Sequence, residues 1–174
     1  MVTYVRFESD RGEFHVSFVM GRSRVAPIKP HTIVKLELSA ATSVVRINNM
    51  LNMELTIPVN QVYFWTDSQT VLKYIANEKA RYQVFVSNRL AVIRDGSEID
   101  QWRYVPSKQN PADHASRGLS TDGLKSVNWI TGPDFLYKSS DKWPPMPVFS
   151  EKLDNETVGE INVGCIKVNH DGVN

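Results

Sequence analysis

Cysteine is almost absent: Cys165 stands alone in 174 residues, so no disulfide can close within the chain, which suits a reducing compartment. With one thiol and four scattered histidines, His15, His31, His114 and His170, a zinc-finger spacing is excluded as well. Charge of one sign is lacking: 20 Lys and Arg against 19 Asp and Glu leave a net +1, so a nucleic-acid surface exists only as a local patch. No apolar run approaches the roughly 18–20 residues that span a bilayer, and the start Met1-Val2-Thr3-Tyr4-Val5-Arg6 lacks the apolar core of a signal peptide. These absences read as an intracellular chain, cytoplasmic or nuclear. What is present is ordinary for a soluble globular protein, 41% hydrophobic and 22% charged residues, at a length that holds one domain and a tail.

The pattern along the chain predicts alternating strands and helices. Two β-like runs, Val2 to Phe7 and Glu13 to Met20, flank the polar turn Glu8-Ser9-Asp10-Arg11-Gly12, a hairpin signature. Pro27 and Pro30 break the chain. From about His31 to Leu51 apolar residues recur at helical spacing in two columns, Val34, Leu38, Ala41, Val45 and Ile33, Ala40, Val44, Ile47. Gln61 to Trp65 reads as a buried strand, Ser68 to Asn77 and Tyr82 to Arg94 as helices, with Gly96 ending the second. Trp102 to Val105 is the next strand and Pro106 to Gln109 a loop. Asn110 with Pro111 then starts a helix, a capping side chain followed by proline at the first helical position. Residues 1–120 thus form an α/β domain. Residues 121–174, with Trp129, Gly132, Pro133 and the proline-rich run from Trp143, read as an extended linker or wrapping tail, poorly ordered after about Phe149.

Three carboxylates sit where chemistry is often placed. Glu37 shares a column with Ile33, Ala40 and Val44; a carboxylate near a buried face must be partnered, protonated or bound to a cation. The alternative is a helix-edge residue paired with Lys35 or Arg46. Asp67 closes an apolar strand, where open α/β sheets hold their ligands, or it caps the next helix. Asp113, in the first turn of the last helix, either serves a site or complements the helix dipole. His114 beside it is more often a surface residue than a base. Taken together, the three suit Mg²⁺, a hard cation preferring oxygen, and paired Mg²⁺ ions hydrolyse phosphodiesters.

The runs Val25-Ala26-Pro27-Ile28, Leu36-Glu37-Leu38, Phe64-Trp65-Thr66-Asp67-Ser68, Phe85-Val86-Ser87-Asn88-Arg89, Trp102-Arg103-Tyr104-Val105-Pro106-Ser107 and Asn110-Pro111-Ala112-Asp113 with Ala115-Ser116-Arg117-Gly118 come in order over nearly all of Val2 to Gly118. In this combination the chain resembles the ribonuclease H region of BEL/Pao-type LTR retrotransposon polyproteins. The segment from Trp129 to Pro144 is similar to the stretch between that region and the integrase part.

The resemblance implies a mixed five-stranded sheet with helices on both sides and Mg²⁺-dependent hydrolysis of RNA in RNA–DNA hybrids. It implies Glu37, Asp67 and Asp113 as catalytic, metal-binding carboxylates. The family's fourth, an aspartate on a strand preceding Val2, has no match: the early acids Glu8, Asp10 and Glu13 fall at the hairpin turn. The expectation is therefore a ribonuclease H-like domain lacking its first strand, with weakened Mg²⁺ binding, impaired hydrolysis and exposed strand edges that promote oligomerisation. The other reading is an inactive scaffold binding nucleic acid or the reverse transcriptase and integrase parts of the same polyprotein. Lys73, Arg81, Arg89, Arg94 and Lys108 are the candidate phosphate contacts, or solvated surface.

Overall fold

The computed structural model of the protein describes residues 1–26, 28, 31–118 and 128–149. Its first two strands, β1 (Val2–Glu8) and β2 (Phe14–Gly21), pair antiparallel from Val2 opposite Gly21 to Glu8 opposite Phe14. The expected turn closes them: Gly12 adopts φ 75° and its N–H donates to Ser9 O at 2.8 Å, a backbone shape that glycine takes without a Cβ clash. The chain break assigned to Pro27 and Pro30 lies outside the described residues, as do the boundary at 120 and the stretch after Phe149.

Helix α1 (Ile33–Glu54) begins at Thr32, whose Oγ1 accepts from the Lys35 N–H at 3.3 Å. It runs three residues past the predicted end and stops ahead of Pro58. Of its two apolar columns, Leu38, Ala41 and Val45 enter the core, whereas Ile33 and Ala40 face outward. Strand β3 (Phe64–Thr66) follows, then α2 (Gln69–Ala76) and α3 (Val84–Asp95), then β4 (Trp102–Tyr104) and α4 (Ala112–Arg117). The strands β3 and β4 pair in parallel with Phe64 opposite Trp102, whose rings stack at 4.9 Å. Helices α1, α2 and α3 close over this pair, and Leu38, Val71, Ile75, Leu90 and Ile93 form a core almost sealed from water.

A mixed α/β fold is therefore in place, but the single five-stranded sheet is not: the described strands form two two-stranded sheets, β1 with β2 and β3 with β4. They are linked through the segment from Asn128 to Phe149, its backbone carbonyls toward the hairpin and its aromatic side chains toward β3, rather than by a shared ladder. Tyr4 Oη donates to Trp129 O at 2.7 Å, and Arg6 donates from Nε to Leu136 O at 2.7 Å and from Nη2 to Lys138 O at 3.0 Å. On the other side Trp65 meets Phe135 at 4.7 Å and Trp143 at 5.3 Å. Gly132, at φ 80°, makes the close approach possible, because a Cβ there would lie 3.1 Å from Val16.

Candidate functional site

Two parallel strands end side by side, and the chain just beyond them carries the polar cluster. The Val105 N–H donates to Thr66 O at 3.0 Å, continuing the β3–β4 pairing by one step and aligning the segments that leave both strands. Asp67 follows β3 directly. Ser107 follows β4 after the turn at Pro106.

The helix cap that Asp67 was a candidate to supply is provided by Ser68. Its Oγ accepts from the Val71 N–H at 3.2 Å, and its own N–H donates to Thr66 Oγ1 at 3.1 Å. The same hydroxyl, only 7% exposed, donates to Glu37 Oε2 at 2.6 Å. Ser68 thus couples the start of α2 to α1. Asp67 accepts from Ser107 Oγ at 2.9 Å through Oδ2 and lies close enough to Glu37 for the two charges to interact.

Burial lifts the Glu37 carboxyl above the ordinary carboxylate range, the Ser68 hydrogen bond opposes the rise, and the Asp67 charge adds to it. Glu37 is half-buried although its column neighbours Ile33 and Ala40 are exposed.

Asp113 is the second residue of α4, and its N–H donates to Asn110 O at 3.2 Å. Asn110 performs the expected capping, its Oδ1 accepting from the Ala112 N–H at 3.1 Å. Among the described residues no group of three or more His, Cys, Asp or Glu side chains is placed to hold a metal ion, so Asp113 is not gathered with Glu37 and Asp67 into one such group. His114 lines a neighbouring cavity instead.

Residues 1–68 match the model of a family described as the Pao retrotransposon-like RNaseH-like domain. This stretch is similar to a Pao-type retrotransposon RNase H region. No curated protein and no solved structure matches the chain. The matched part of the RNase H region includes Glu37, Asp67 and Ser68, and Asp113 lies beyond it. No helix among the described residues is long and apolar enough to cross a membrane.

For the Mg²⁺ that such a region implies, the donor chemistry of the pair is suitable. Two half-buried carboxylates whose charges oppose each other are relieved by a cation, and Mg²⁺ commonly takes one or two carboxylates with water and phosphate in its other positions. The donor type of the pair suits such an ion, and among the described residues no third His, Cys, Asp or Glu is gathered with them.

Ser68 and Ser107 were present in the runs Trp-Thr-Asp-Ser and Val-Pro-Ser without being assigned roles. Nothing local marks them, because each acts on a carboxylate 31 or 40 residues away. Of the candidate phosphate contacts, two arginines serve the fold. Arg94 donates to three carbonyls at the end of α2, and Arg89 donates from Nε to Ser39 Oγ at 3.0 Å and stacks 3.3 Å over the Phe85 ring.

The electrostatics carry a test. Glu37→Gln keeps an acceptor for Ser68 and removes the opposed charge, so in EDTA at pH 7 it is expected to melt higher than the wild type. Solvent screening at a half-buried group keeps the gain within about 1 kcal/mol, or about 2–4 °C. A raised folded-state pKa means that the protonated acid is the favoured form. Its stabilisation is fully present below the unfolded pKa and lost as pH rises through the folded value, so the two proteins should converge on acidification. Melting curves across pH check this, and equal curves at pH 7 would show that Glu37 bears no electrostatic cost.

Proposed function

We propose that the chain is an RNase H-like retroelement domain acting on RNA–DNA hybrids, in which Mg²⁺-dependent hydrolysis of the RNA strand is impaired. The observation that carries this reading is the Glu37–Ser68–Asp67–Ser107 cluster at the C-terminal ends of two parallel strands. Glu37 and Asp67 supply the oxygen ligands, Ser68 and Ser107 fix their orientation, and Asp113 is the third candidate ligand and catalytic carboxylate. A bound Mg²⁺ supplies activation of water and neutralisation of phosphate charge. Impairment is supported by the count of acids: the described residues include no strand that joins the two sheets and contributes a further carboxylate to the pair. The reverse transcriptase and integrase parts of one polyprotein are the proposed protein partners.

The absence of a three-carboxylate group among the described residues also favours a second reading, an inactive scaffold that binds nucleic acid or those polyprotein parts. Cleavage of a labelled RNA–DNA hybrid over a Mg²⁺ series decides between them. Weak cleavage that saturates only at high Mg²⁺ is expected, reduced by more than about 100-fold in Asp67→Asn, beyond what loss of an outer-shell partner costs. No cleavage by folded protein selects the scaffold.

A further inference from the structure

An open cavity of about 590 Å³ is formed where the Pro106–His114 stretch meets the segment from Asn128 to Pro145. That volume falls within the roughly 300–1,000 Å³ of ligand-binding clefts. Lys108, Lys138 and Lys142, all exposed, lie on its walls, together with the amides of Gln109 and Asn110. Asp134 is the one acid in the lining, and its Oδ1 accepts from Asn128 Nδ2 at 3.1 Å, so the lining is net positive in a chain with almost no net charge.

The aromatic part of the lining is held in place before any ligand arrives. Trp143 meets Tyr63 edge-on at 4.9 Å, and its Nε1 donates to Lys138 O at 3.2 Å. Phe135 lies beneath, buried against Trp65. Lysines that attract phosphate, a fixed aromatic that receives a base, and amides able to reach base edges are the parts used by proteins that bind single strands. Stacking on an aromatic face is open to every base, whereas an acidic peptide would draw on the lysines alone for its charge.

We infer that this cavity binds a short single-stranded stretch of nucleic acid, its phosphates on Lys108, Lys138 and Lys142 and a base against Trp143. The inference rests on the nucleic-acid reading above and names a surface which that reading does not assign. Pro106 and Lys108 flank Ser107, whose hydroxyl holds Asp67, so the loop that lines the cavity also carries a partner of the carboxylate pair.

The test is fluorescence anisotropy of a labelled oligouridylate of about 8 nucleotides, within the span of single-strand binding sites. Working in EDTA removes any cation at the carboxylate pair. Wild type is expected to bind under these conditions. The double variant Lys138→Gln, Lys142→Gln should bind about tenfold or more weakly, with a salt dependence shallower by about 1.4 in log–log slope, the value for two lost single-strand phosphate contacts. Both lysine side chains are exposed, and a circular dichroism melt checks that the variant is folded; Lys108→Gln, singly, should show half that change in slope.

Unchanged binding by the folded lysine variants overturns the inference, as does equal competition by polyglutamate at matched charge, which would indicate an acidic protein segment. Loss of binding in Asp67→Asn with retention in the lysine variants overturns it too, because the strand would then sit at the carboxylates. A protein that binds the strand through the lysines and never cleaves a hybrid leaves this site standing and removes only the hydrolytic reading.

Discussion

Replacing Phe135 by alanine is expected to cost about 3–5 kcal/mol of unfolding free energy, the usual range for deleting a buried aromatic ring. Phe135 is 7% exposed, and its ring centroid lies 4.7 Å from that of Trp65 next to the end of β3. The short turn that carries it, Asp134–Tyr137, packs on β2 as well. The residue therefore anchors the segment that ties the hairpin to the parallel pair. Against a total of about 5–15 kcal/mol for a native domain, this loss is a large fraction. Urea unfolding followed by circular dichroism and tryptophan fluorescence measures it. A cost below about 1 kcal/mol would mean that the segment rests on a core already complete without it.

Arg94→Ala is the second large effect, expected at about 2–3 kcal/mol of stability with little change in nucleic-acid affinity. From Nη2 the guanidinium donates to Tyr74 O at 2.9 Å, to Asn77 O at 2.8 Å and, longer, to Ile75 O at 3.4 Å. These are carbonyls at the C-terminal end of α2, which α-helical bonding leaves unsatisfied, and a cation there also complements the helix dipole. Hydrogen bonds to a charged group contribute about 1.5–3 kcal/mol, and truncation leaves the carbonyls partly stranded. Chemical unfolding and oligonucleotide binding on the same variant separate the two roles. Weakened binding with unchanged stability would restore Arg94 as a phosphate contact.

The contrast between Arg94 and Lys138 shows where sequence reading reaches its limit. Both are basic residues in plausible positions, and composition treats them alike. Arg94 is spent on the end of a helix 17–20 residues earlier in the chain. Lys138 is exposed in the lining of a cavity, and its carbonyl accepts from Arg6 and Trp143. Nothing within a few residues of either distinguishes them. The same holds for the two columns of α1: periodicity finds the helix, but only the packing of α2 and α3 seals Leu38 and buries Ile47 while Ile33, in the same column as Ile47, is 55% exposed.

Local physics determined a good deal. The Glu8–Gly12 turn, the Thr32 cap and apolar period of α1, the apolar character of Phe64 and Trp65, the Gly96 stop and the Asn110 cap are all written in neighbouring residues, because turn chemistry, capping and periodicity act over one or two turns of chain. The sequence by itself also singled out Glu37, Asp67 and Asp113 as candidate ligands and catalytic acids. Only the tertiary structure decided that Ser68 and Ser107 hold two of these acids, that the third is not gathered with them among the described residues, that the described strands divide into two sheets, and that residues 128–145 join the Pro106–His114 stretch around a basic cavity. Those outcomes depend on contacts across 31 to 132 positions, whose energies arise from burial and hydrogen bonding between segments that carry no local sign of each other.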